Sequence, residues 1–500
     1  MSKSVDELCA LSAVEARRCI GAKEVSPVEL LEACITRIEA INPAVNAVTA
    51  TAFTAARETA RAAEAAVLAG EDLPLLHGLP VGVKDLNDTA GLLTTYGSPV
   101  YRDYVPAKDE AMVGRVRAAG ATIFCKTNTP EFGAGANTRN PVWGATGNPF
   151  DPMRNAGGSS GGSAVALATG MMPLATGSDT GGSLRIPAAY AGVVGFRPSP
   201  GLVPTDKRAF GWSPLSIQGP MGRSVADVAL MLGAQAAFDS DDPFSGPVDG
   251  ASFALVEPVD LGSLRCAVTA DLGFAPVDAT YRETFSAKVA GFGGVFRACD
   301  WATPDFGEAD RCFEVIRAVQ FLGQHQETYA RDPNLLGPNV RANYEQGAAM
   351  SLADFAWAHM EETRIYRRVQ RFFEEYDVLI SPTVPISPFP WEQLYLAEMN
   401  GEPLRTYFHW LALTYGITLT GHPAISLPCG LDERGMPFGL QIVGPHKGDR
   451  LVLGVAHALE QVLATRPGLG RPVPDLDRLR TETPALRAIV TAPPSAGVGR

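Results

Sequence analysis

Two runs rich in glycine and serine carry the densest chemical signal in this chain. The first is Asn155-Ala-Gly-Gly-Ser-Ser-Gly-Gly-Ser163, the second Gly177-Ser-Asp-Thr-Gly-Gly-Ser-Leu-Arg-Ile-Pro187. Glycine lets a backbone approach a ligand closely and adopt positive φ. A phosphate cradle would need the Gly-Lys-Ser/Thr continuation of a P-loop, which neither run has. A nucleophile elbow fits formally, because Gly157-Gly-Ser159-Ser-Gly161 matches G-x-S-x-G, as does the frame starting at Gly158. It would imply a Ser-His-Asp hydrolase with a late histidine. His422, His446 and His457 lie late enough, but no HGGG oxyanion segment accompanies them. A third chemistry draws a serine from each run and a lysine from elsewhere. A serine hydroxyl is a poor nucleophile until a base removes its proton. A buried lysine can be that base, because low dielectric disfavours the ammonium form. On this reading Ser159 relays a proton between Lys84 and Ser183, and Thr180-Gly-Gly-Ser183 aims successive N–H groups at one point, as an oxyanion requires. Tight packing turns without chemistry are the plain alternative.

The elements around these runs place them at strand-to-helix turns. Leu79-Pro-Val-Gly-Val-Lys84 is short and apolar and reads as a strand with Lys84 at its end. Ala121–Cys125, Leu174–Ser178 and Gly192–Phe196 read as further strands, with helices over Asp109–Ala119, Ser163–Gly170 and Leu184–Tyr190. Upstream, Ser26-Pro-Val-Glu29 opens a helix with a capping box, and a second helix spans about Thr51–Leu68 before Gly70. Ser224 caps another helix, and residues 239–264 read as a long surface connection. A second α/β stretch begins at Cys266–Ala270. It continues with a charged helix over Leu352–Tyr376, strands at Val378–Ser381, Ala424–Leu427 and Phe438–Val443, and a helix over Leu451–Ala464. Strands alternating with helices predict an α/β fold around a mixed or largely parallel sheet. One large domain over residues 5–463 is expected, with a Pro/Arg-rich tail over 464–500 that is disordered beyond about Pro484.

Bulk composition narrows the class. The 500 residues are 46% hydrophobic and 19% charged, with a formal net charge of -12. That is a globular profile, and the acidic balance weighs against a nucleic-acid partner. The eight cysteines form no C-x-x-C pair and read as reduced, mostly packed thiols. The sequence has neither a signal-peptide layout at its start nor a membrane-length apolar window, so a cytoplasmic location without membrane contact is expected.

Taken together, the motifs resemble those of the amidase signature family. The likeness rests on Gly78-Leu-Pro-Val-Gly-Val-Lys-Asp85, Lys126-Thr-Asn-Thr-Pro-Glu-Phe-Gly133, Gly157–Ser163 and Asp179–Pro187 in matching order. Asp377–Thr383 and Gly421–Pro428 extend it over most of the chain, with a signature core over about 75–230. The resemblance implies one α/β domain whose mixed, twisted central sheet is covered by helices on both faces. It implies Ser183 as nucleophile, Ser159 as bridging serine after a cis peptide, and Lys84 as base. It places the oxyanion hole at Thr180, Gly181, Gly182 and Ser183, a supporting network at Ser160, Asp179 and Arg185, and the substrate mouth at Gly133 and Ala134. No metal or cofactor is implied.

One branch of that family is the glutamine-hydrolysing subunit of a tRNA-dependent amidotransferase. Its Glu-Ala-Ser-Ser-Asn-like stretch has no counterpart over about Asn339–Arg371, which favours a stand-alone enzyme acting on a small aryl or alkyl amide or a carbamate. A homodimer is left open. Phe321, Trp357, Tyr407, Phe408, Trp410 and Tyr415 are candidates for an aromatic pocket wall, with core packing as their ordinary alternative.

Overall fold

The computed structural model describes residues 3–481 and 485–495. An 11-stranded sheet organises the chain. In chain order its strands are β1 (Val48–Thr51), β2 (Pro80–Lys84), β3 (Thr122–Thr127), β4 (Leu174–Asp179), β5 (Val194–Arg197), β6 (Ile217–Gly222), β7 (Arg265–Val268), β8 (Ala298–Trp301), β9 (Val378–Pro382), β10 (Ala424–Leu431) and β11 (Pro437–Val443). Their order across the sheet is β1-β3-β2-β4-β6-β5-β10-β11-β9-β7-β8. β3, β2 and β4 are mutually parallel, as are β9, β7 and β8, while the strands between these groups pair antiparallel. The sheet is therefore mixed, as expected. Successive strand residues enter different cores: Ile123 and Leu174 belong to one hydrophobic cluster, Phe124 and Ala175 to another. That alternation means both faces are covered.

The helices that position the site are α1 (Pro27–Val45), α2 (Phe53–Ala69), α3 (Gly161–Ala168), α4 (Arg185–Ala191), α5 (Ala309–Arg331), α6 (Leu352–Phe372) and α7 (Ala412–Thr420). Ser26 and Glu29 form the expected capping box on α1, and Gly70 closes α2 in a left-handed conformation. Thr51, expected to open that helix, instead ends the edge strand β1. β6 escaped the sequence reading for a physical reason. Its sequence Ile-Gln-Gly-Pro-Met-Gly carries two glycines and a proline, which ordinarily argue against an interior strand, yet it lies between β4 and β5. Strand β8 and helix α5 were also unread.

The tail needs correcting in part. Over 485–495 it is laid along the body: Leu486 is buried against Ala145 and Trp391, Ala145 N–H donates to Leu486 O, and Thr491 N–H donates to Pro141 O. The last part of the predicted disorder, 496–500, falls outside the described residues. Among the described residues no helix is long and apolar enough to cross a membrane. All eight cysteines are free thiols, and all but Cys299 are buried.

α3 sets the depth of the site, because its first turn is pressed against the end of β3. Gly162 N–H donates to Asn128 O, and a Cβ on Gly162 would lie 2.2 Å from Asn128 N and 2.5 Å from Ala47 O. All of these are backbone atoms that cannot swing aside. Gly162→Ala should therefore lower stability by about 3 kcal/mol, the upper range of overpacking costs, in urea unfolding.

Candidate active site

The carboxyl ends of three parallel strands meet at one point, where α/β sheets commonly bind ligands. β2 ends at Lys84, β3 at Thr127 and β4 at Asp179. Lys84 has no solvent exposure, and its Nζ donates to Ser159 Oγ at 2.7 Å, to Ser160 Oγ at 2.9 Å and to Ser178 Oγ at 2.9 Å. Its backbone N–H is held by Thr176 Oγ1. Burial pulls the ammonium down to about 7, against the opposing pull of Asp179. An amine in that position is neutral in a large part of its population near neutral pH.

The two glycine runs converge. The peptide Gly158–Ser159 is cis, and Ser160 N–H donates to Ser183 O at 3.2 Å, tying one run to the other. Ser159 is 2% exposed, and Ser183 is only partly buried. Both line a cavity of about 380 Å³ together with Ser178, Thr180 and Gly181. Gly133 lies at its edge, since a Cβ there would come 3.3 Å from Ser159 Oγ. Ala134 does not face this cavity. It is buried with Phe321, Leu336 and Val340, and its carbonyl accepts from Asn339 Nδ2. Ser163, the last serine of the first run, is buried between Thr127 and Thr176 O and does not reach the cavity.

The loop Thr180–Ser183 is held from below by Asp179, which is fully buried. Arg185 closes a two-pronged pair on it, Nε to Oδ2 at 2.9 Å and Nη2 to Oδ1 at 3.0 Å, and Arg197 approaches at 3.3 Å. Burial alone would raise this carboxyl; the two guanidinium groups outweigh it and hold the group well below the usual carboxylate range. Asp179 also takes the N–H groups of Gly182 and Leu184. The expected four-membered oxyanion set is thereby narrowed, because Gly182 N–H is already engaged. No acceptor among the described residues takes the N–H of Thr180, Gly181 or Ser183. Gly182 has φ +121, and a Cβ there would strike Thr414 Oγ1 at 2.2 Å, so only glycine fits this corner. Thr414, on α7, donates to Gly181 O and fixes the loop from above.

Sequence reasoning did not assign Ser178, Arg197 or Thr414. Arg197 repeats the signal that marked Lys84, a charge ending an apolar strand. Ser178 lay inside the second run without a role. The late histidines are elsewhere: His422 is bound to Thr420 O and Gln370, His457 sits beside Glu460, and neither they nor His446 line the cavity. The cavity's own histidine, His325, lies between the Phe132 and Phe321 rings, with burial pushing it down to about 4 and no partner on Nε2. No Ser-His-Asp arrangement exists among the described residues. Of the six aromatic candidates for the wall, only Phe321 lines the cavity. Tyr407 and Phe408 stand behind Arg317, Trp357 is stacked by Arg311, and Trp410 and Tyr415 are core residues.

Removing the charge on Asp179 would leave two guanidinium groups buried without an anion. Asp179→Asn should lower stability by about 3–5 kcal/mol in chemical denaturation. An effect below about 1 kcal/mol, the worth of an exposed ion pair, would show that the pair does not hold the loop.

Comparison with known proteins shows the family of the chain. The family model described as Amidase matches residues 29–453. The chain is 35% identical to an acylamidase of Rhodococcus erythropolis over 90% of its own length and 95% of that protein's. It is 34% identical to a glutamyl-tRNA(Gln) amidotransferase component of Synechococcus elongatus, over 88% and 95%. Among solved structures it is similar to a bacterial aryl acylamidase, with a TM-score of 0.83 and 27% identity over 91% of this chain and 99% of that one. It is also similar to a 6-aminohexanoate cyclic dimer hydrolase, with a TM-score of 0.79 and 29% identity over 92% and 99%.

Proposed function

Because the chain belongs to the amidase family, we propose that it hydrolyses the C–N bond of a small carboxamide, aryl or alkyl, through an acyl-enzyme on Ser183. The observation that carries this reading is a buried, easily neutralised Lys84 amine that donates to Ser159 beside a cavity which Ser183 also lines.

In this mechanism Ser183 Oγ attacks the amide carbonyl while its proton passes to Ser159 and the Ser159 proton passes to the neutral Lys84 amine. The carbonyl oxygen becomes an oxyanion and takes the N–H groups of Thr180, Gly181 and Ser183, whose fixed orientation stabilises charge as it develops. The C–N bond then breaks. The leaving nitrogen takes a proton back through the same relay, which an amide requires because an amide anion is a very poor leaving group. Water next attacks the acyl-enzyme, again losing its proton along Ser159 and Lys84, and the acid departs. Ser160 and Ser178 occupy the remaining hydrogen bonds of the Lys84 amine and hold it in place. Carbamates fit the same acyl-transfer chemistry.

A second reading, the glutamine-hydrolysing component of an amidotransferase, is kept by the relatives of that name at 31–35% identity. It predicts a chain inert on simple amides until its partner protein is added. The stand-alone reading predicts turnover by the purified chain in an amide and carbamate panel.

Two measurements test the roles. A fluorophosphonate probe followed by peptide mass mapping should place the label on Ser183 and leave Ser163 unmodified; a label on Ser163 or Ser159 overturns the assignment. The pH profile should also follow Lys84. The base works only when neutral, and its depressed pKa of about 7 means the protonated, inactive form dominates below that value. The rate kcat/KM should rise through about pH 7 and then level. A flat profile from about pH 5 to about pH 9 would remove Lys84 as the base.

A further inference from the structure

One wall of the cavity is a single helix. α5 presents Phe313, Arg317 and Phe321 at four-residue spacing, so the three side chains stack along one face, and all three line the cavity. Phe313 lies against the oxyanion loop, its Cζ 3.1 Å from where a Cβ on Gly181 would be. Arg317 therefore stands one helical turn along from the residue that meets that loop.

Its surroundings are unusual for a cation. Arg317 is only 6% exposed. The rings of Phe321, Phe408 and Tyr407 surround its guanidinium at 4.7, 5.3 and 5.8 Å. Nη2 donates to Tyr407 OH at 2.7 Å, and Asn343 Nδ2 donates to the same oxygen at 2.6 Å, which fixes the phenol. Nε has no partner, and no carboxylate among the described residues pairs with the group. The other charged side chains on the cavity wall are already matched. Lys207 pairs with Asp88 and Arg208 with Asp242, while Glu110 is enclosed by Asn87 and Gln218. A guanidinium stays charged at any working pH, and burying one without an anion is costly. Its planar fork matches a carboxylate through two parallel hydrogen bonds.

We propose that Arg317 is a subsite for a carboxylate carried by the substrate, so that the preferred amides are anionic. The proposal rests on the amide-hydrolysing role of the same cavity. Ring contacts keep the guanidinium in place and exclude water, and the substrate's carboxylate completes the pairing that the protein leaves open. The neighbouring rings of Phe313 and Phe321 favour an apolar spacer between the amide and the acid.

The test uses matched substrates on the purified chain. Glutaryl 4-nitroanilide against pentanoyl 4-nitroanilide places the carboxylate in the acyl half, and 3-carboxyacetanilide against acetanilide places it in the amine half. In at least one pair the acid should have the higher kcat/KM, by about tenfold or more, mainly through KM. Arg317→Gln should bring that ratio close to one, and Arg317→Lys should retain part of it. Equal rates within both pairs, or an Arg317→Gln variant that slows both members alike and keeps the ratio, would overturn the proposal. Calorimetric titration with glutarate separates the two levels of the argument. Glutarate bound by the native chain and not by Arg317→Gln, with no turnover of any amide, supports the subsite and refutes the amidase reading. Turnover of neutral amides without a preference refutes the subsite alone.

Discussion

The arrangement depends on how a lysine amine is buried. Two lysines lie inside this sheet with no solvent exposure, and they are treated differently. Val83 pairs with Lys126 across β2 and β3, so strand alternation turns Lys84 and Lys126 to opposite faces. Lys126 is set beside Asp85 and Glu110, with Nζ on Asn87 O and Thr89 Oγ1. Burial lowers its ammonium as well, to about 8, while the two acids pull the other way. Lys84 meets three hydroxyl groups and no carboxylate in contact, so desolvation dominates and its neutral form is within reach. A hydroxyl can accept from the ammonium and donate to the amine, which lets the same contacts survive a change of protonation.

Keeping carboxylates away from Lys84 has a structural counterpart one residue past the β4 serine. Asp179 is the acid whose charge acts on Lys84, and it is held by Arg185 and Arg197. The same carboxylate takes two backbone N–H groups from the following turn. Charge neutralisation and loop geometry thus come from one buried cluster. Thr414 and Gln441, far along the chain, complete it by accepting from Arg185 through a carbonyl and an amide oxygen.

Much of this was legible because the signals are local. A lysine ending a fully apolar strand, and serines in glycine runs at strand-helix turns, are readable without knowing the fold, and the helix caps and most strands near them are too. What escaped depends on long-range packing. β6 is an interior strand with poor strand propensity, tolerated because β4 and β5 flank it. Ala134 follows Gly133 in sequence, but the left-handed backbone at Phe132 and Gly133 turns it away from the cavity into a separate apolar cluster. Leu486 anchors a proline-rich tail whose composition alone predicts disorder. The wall residues of α5 are indistinguishable in sequence from ordinary core positions, since Phe313 and Phe321 have the spacing of any buried helix face.

The proposed proton relay and oxyanion loop come from residues 84–185, whereas the wall at Phe313, Arg317 and Phe321 belongs to one later helix. That part of the wall is thus carried apart from the chemistry. A substitution on the cavity-facing side of α5 alters one turn of the wall and touches none of the hydrogen bonds that govern Lys84. Descendants of such a scaffold can explore new amides one helical turn at a time without first losing the old reaction. The diversity of amide-cleaving proteins that share this fold is what that separation would produce.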